Sequence, residues 1–176
     1  MSFRDKPTLN VTRLMLDAEQ IASSMGVSVA SAFKVMLDGR AVSPWAKHWV
    51  AKVYQVPIDQ RNEEHETGAL SGVFGNMGHI RAAIRVLADG GIRFQRNKRI
   101  GVGRSCSQED LIEDLGKFDR QIVVSINKFP EIIIYPLDAK VLLSGAMDGS
   151  LTPSGISSKN FVGWVSERHR IEYHNA

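Results

Sequence analysis

A single cysteine, Cys106, in a chain of 176 residues excludes an internal disulfide and fits a reducing compartment. No apolar run approaches the ~20 residues that a membrane-spanning helix needs. The opening MSFRDKPTLN lacks the apolar stretch of a secretory signal. These absences point to a cytoplasmic protein without a membrane partner. Repeats and low-complexity tracts are also missing. What is present is 43% hydrophobic residues, enough for a core, in a length that suits one domain or a small helical module plus a compact second one.

The net charge is only +3, but it is unevenly spread. Arg81, Arg85, Arg93, Arg96, Lys98, Arg99 and Arg104 share a stretch whose one acid is Asp89. Glu109, Asp110, Glu113, Asp114 and Asp119 follow almost at once. A dense basic strip on a nearly neutral chain suits a face presented to a polyanion. The plainer alternative is a solvated surface neutralised by the acidic helix beside it.

The pattern predicts an α+β protein: an N-terminal helical module over residues 1–60, a linker or functional loop over 61–79, and a small mixed sheet flanked by helices over 80–176. Met1 to Asn10 reads as a loose arm and Val11 to Met15 as a short helix. Ala18, Ile21, Ala22 and Met25 then repeat at helical spacing up to Gly26. Val27 is expected to be buried in the turn. Ser28 caps a second helix whose inner face is Ala32, Val35 and Met36. Asp38-Gly39 closes it, and Ser43-Pro44 opens a third. Residues 80–87 (IRAAIRVL) fit helix or strand, and Ala88 to Gly91 form a turn. Ile92 to Arg96 alternate as a half-buried strand does, and Ser107 caps a helix to about Leu115. QIVVSI (121–126) and EIIIY (131–135) read as a hairpin of β-branched strands. Ala139–Leu143 and Asn160–Glu167 read as helices.

The run QIASSMGVSVASAFKVMLDG, followed by a helix ending in AKVYQVPID, resembles the helix-turn-helix of Cro/C1-type repressors. Gln20, Ile21, Ala22, Gly26, Val27, Ser28, Val35, Gly39, Ala51, Val56, Pro57 and Ile58 carry the likeness, over about a quarter of the chain. The resemblance implies a homodimer on duplex DNA, with no cofactor needed for binding. Ser28, Ser31 and Lys34 would face the groove, and Arg93, Arg96, Arg99 and Arg104 the phosphates. Phe33 and Leu37 stand where the family keeps polar residues, and Val29 and Ala30 replace base readers. The alternative is a plain helical subdomain that packs Phe33 and Leu37 inward.

The strand-loop-helix-strand-strand order from Ile92 to Tyr135 resembles the back half of a PD-(D/E)XK nuclease domain. That resemblance implies a small Mg²⁺-dependent endonuclease, with Asp89 as first acid, Gln95 or Arg96 in the second acid's place, and Lys98 as the lysine. Glu66 or Glu64 would be a further metal ligand. Other chemistries lack their patterns. GVGRS is not a P-loop, His65 and Glu66 lack a second histidine, and the remaining histidines have no ligand spacing. Cys106 reads as a plain reduced cysteine. Trp45, Trp49 and Trp164 read as core anchors.

Overall fold

The computed structural model describes residues 6–58, 69–94 and 107–176. Within them, six strands form one mixed sheet in the order β2-β3-β4-β5-β1-β6. The strands are β1 (Thr8–Met15), β2 (Ala69–Val73), β3 (His79–Leu87), β4 (Arg120–Lys128), β5 (Glu131–Asp138) and β6 (Arg170–Asn175). The described helices are α1 (Ala18–Met25), α2 (Val29–Leu37), α3 (Gly39–Tyr54), α4 (Gln108–Gly116), α5 (Ala139–Met147) and α6 (Ser158–Arg168), with a 3-10 turn at Gly75–Met77. The expected α+β class is what the chain adopts.

The centre of the sheet follows from side chains that are apolar on both faces. Ile122, Val124 and Ile126 of β4, with Ile132 and Ile134 of β5, face a layer built by α2 and α3. The alternate residues Val123, Ile133, Tyr135 and Leu137 face α4, α5 and α6. A strand's period of two sends neighbours to opposite faces, so runs of Val and Ile mark strands covered on both sides. Pairing is antiparallel for β2–β3, β4–β5 and β5–β1, and parallel for β3–β4 and β1–β6. The ambiguous segment 80–87 is strand, sending Ile80, Ala82 and Ile84 to the α3 side.

Several expectations need correction. Val11 to Met15 is not helical, and residues 8–10 are no arm. They form β1, which buries Leu9 and Val11 against the C-terminal helices and pairs with β5 and β6. The stretch 61–79 holds β2, so its last part belongs to the sheet. The helices of the 1–60 stretch share one core with the sheet rather than standing beside it. The third helix starts at Gly39, directly after Asp38, and Pro44 falls inside it. Gly39 lets it start there, since a Cβ would lie 3.0 Å from that of Ala88. The final strand β6 had no counterpart in the sequence reading.

The second helical layer is tied by polar contacts as well. Ser107 and Asp110 cap α4 reciprocally. The Gln108 amide donates to the Ala146 and Leu151 carbonyls at 2.6 and 2.8 Å. Gly155, at φ 82°, brings its backbone against Ile92, and the two backbones exchange hydrogen bonds through Ile156 at 2.9 Å.

Candidate nucleic-acid interface

The resemblance to a helix-turn-helix rests on α1, α2 and the turn between them. Asp17 caps α1 by accepting the Gln20 amide at 2.9 Å. Gly26 ends it at φ 65°, a left-handed conformation that glycine takes without strain, and the Val27 amide reaches back to the Ala22 carbonyl at 3.1 Å. Ser28 caps α2 through the Ser31 amide at 3.2 Å. The two helices are bent by 94° relative to one another.

The faces of α2 differ in part from expectation. Ala32 and Met36 are buried as expected, but Val35 is 40% exposed. Val27, expected inside the turn, is also 40% exposed. Phe33 and Leu37 are half-buried and pack on the core beneath. Phe33 meets Phe129 edge to face, with centroids 4.8 Å apart. This anchor points the opposite side of α2 outward, with Ser28, Val29, Ala30, Ser31 and Lys34 exposed. Lys34 is the one charge among those five. The Ser28 hydroxyl also donates to that of Ser31 at 3.0 Å, so both serines are partly engaged locally.

The sheet directs α2 and the Asp89 turn to a common end. β1, β3 and β4 run the same way, since β3 and β4 are parallel and both β1 and β4 are antiparallel to β5. Their C-terminal ends therefore lie together. Phe129, just beyond β4, holds α2 there, and the start of α3 touches Ala88 beyond β3. Asp89 is exposed on this turn, and its carbonyl accepts the Ser158 hydroxyl at 2.8 Å. Arg93 is exposed a few residues on. Gln95, Arg96, Lys98, Arg99, Arg104, Glu64 and Glu66 lie outside the described residues, as does Cys106. Among the described residues, no three His, Cys, Asp or Glu side chains gather where they could hold a metal ion.

Two arginines of the basic stretch have structural contacts. The Arg85 guanidinium donates to Gln121 Oε1 at 3.2 Å and to the Phe94 carbonyl at 2.9 Å. Gln121 is fully buried, and its Nε2 has no hydrogen-bond partner among the described residues. The pair fixes Phe94, from which the chain enters the basic strip. Arg81 stacks over Phe118 at 5.1 Å. The acidic helix is also partly internal: Asp114 is buried and bonded to Lys117 at 2.9 Å, which with Glu113 holds the Lys117 ammonium above its ordinary pKa.

Sequence reading missed a cavity of about 290 Å³ between the end of β1 and α1, α2 and α3. Trp45 and Trp49 line it, and Trp45 is 54% exposed rather than a core anchor. Their spacing of four on one helix face was the available signal. Trp164 is buried as expected. Among the described residues no single helix is long and apolar enough to cross a membrane. Comparison of the chain with protein-family models, curated proteins and solved structures finds no match.

Proposed function

We propose that this protein binds duplex DNA, inserting α2 in the major groove with Ser28, Ser31 and Lys34 toward the bases. Arg93 and the basic residues that follow it, Arg96, Arg99 and Arg104, meet phosphates, and a homodimer presents two such units. The observation that carries this reading is the α1–α2 unit itself: a three-residue turn closed by Gly26, a bend of 94°, and a core anchor at Phe33 that leaves one face of α2 free. The Asp89–Arg93 turn supports it by lying at the same end of the sheet as α2.

The test is fluorescence anisotropy on random and selected duplexes across a salt series. Binding should weaken steeply with salt, with a log–log slope of about −0.9 per phosphate neutralised. Arg93→Ala should weaken all sequences alike and flatten that slope by about one. Lys34→Ala should cost about 1–3 kcal/mol on the selected site and little on random DNA. A two-fold dimer predicts half-sites ~34 Å apart. No binding at low salt, or variants indistinguishable from the parent, would reject the proposal.

A further inference from the structure

We infer that the cavity between the end of β1 and α1, α2 and α3 binds a small molecule with a flat apolar body and one carboxylate. Its apolar walls are Ile21 and Met25 of α1, Met36 of α2, and Trp45 and Trp49 of α3. The volume of about 290 Å³ is nearly twice the ~150 Å³ that accommodates benzene, so a fused two-ring system fits. Two indoles offer stacking faces, and methionines adapt their shape to an irregular guest. Trp45 and Met15 both line this cavity and are exposed, so part of their apolar surface faces it. An apolar guest removes only that cavity-facing part from water, at roughly 25 cal/mol per Å².

The charge of the guest follows from the polar residues of the lining: Asp17, Gln20 and Lys52. Asp17 keeps its charge but sits at the N-terminus of α1, where it accepts the Gln20 backbone amide and the positive end of the helix offsets it. Lys52, exposed in the last turn of α3, has no ion pair or hydrogen bond with any described residue. A free ammonium beside an apolar cavity selects a carboxylate, and the Gln20 carboxamide adds a neutral donor. The combination of a few polar groups with an apolar wall is the usual make-up of a small-molecule site.

Three probes that share one ring test this: indole-3-acetate, indole and tryptamine, titrated into the full chain by calorimetry and by ¹⁵N NMR. Indole-3-acetate should bind and shift the indole N–H signals of Trp45 and Trp49, leaving that of Trp164 in place. Indole and tryptamine should bind at least about tenfold more weakly. Lys52→Met, a change at an exposed position that the fold tolerates, should abolish the preference for the acid while leaving the affinity for indole. Tryptamine or indole binding as tightly as the acid would overturn the inference, as would a preference that survives in Lys52→Met. Shifts at Trp164 alone, or no binding by any probe, would also overturn it. Neither readout involves DNA, so failure of the DNA reading leaves the result standing.

Discussion

Phe33→Ala tests whether the N-terminal helices are an integral layer of the fold. The ring is half-buried and meets the buried Phe129 edge to face at 4.8 Å with planes 85° apart. Truncating a fully buried phenylalanine costs about 3–5 kcal/mol, so partial exposure puts Phe33→Ala at about 2–3 kcal/mol. Of this, about 0.5–1.5 kcal/mol belongs to the ring pair and should emerge as coupling in a double-mutant cycle with Phe129→Leu. For a chain of this size, ~1 kcal/mol moves the melting temperature by about 2–4 °C, so a fall of about 4–12 °C is expected. Urea and thermal unfolding, followed by far-UV circular dichroism and tryptophan fluorescence, should give one coincident transition. A loss under about 0.5 kcal/mol would refute the anchor. A variant in which the helical signal melts separately would refute the shared core.

Three further outcomes follow from particular contacts. Gly155→Ala should destabilise the protein by about 2 kcal/mol or more in urea titration, because φ is 82° and a Cβ would strike the Ile92 carbonyl. Arg85→Met should cost about 2–3 kcal/mol, since it leaves both amide atoms of buried Gln121 without a partner among the described residues; adding Gln121→Leu should recover part of the loss. His169 is buried, and loss of hydration holds its pKa below 6.5, against the opposing pull of the Val165 backbone and Asp138. Its contribution to stability is therefore full above pH 6.5 and is lost as pH falls through the lower folded-state value, because the unfolded chain binds the proton first. The urea midpoint of His169→Gln should fall less between pH 7.5 and pH 5 than that of the parent; an equal fall would refute this assignment.

The parts legible in the sequence are those whose information is local. β4 and β5 declare themselves through consecutive β-branched residues, and α4 through the Ser107 cap. α1 and α2 follow from helical spacing broken by Gly26. β6 (RIEYHN) was invisible because it is mostly polar and held by backbone pairing to β1, more than 150 residues away. β1 offered only Leu9 and Val11 as a period-two signal, too short to outweigh its polar neighbours. Spacing places the exposed face of α2 around Ser28, Ser31 and Lys34, yet it also points Val27 and Val35 inward, and both are exposed. A turn residue and the rim of a helix face are positioned by what packs nearby, not by spacing. The Arg85–Gln121 pair was equally hidden, since nothing in two separated strands marks which side chains will meet.

The parallel pairing of β1 with β6 gives the molecule a mechanical character. Thr8 lies beside Arg170 and Arg13 beside Asn175. Chain entering before Thr8 and chain leaving after Asn175 therefore depart from opposite ends of one strand pair. Tension along the polypeptide would slide the two strands past each other, loading their hydrogen bonds together instead of peeling them one at a time. Force applied between the two ends would meet this clamp before any helix, and the force needed to start unfolding would be set by a polar edge strand that contributes little to the core.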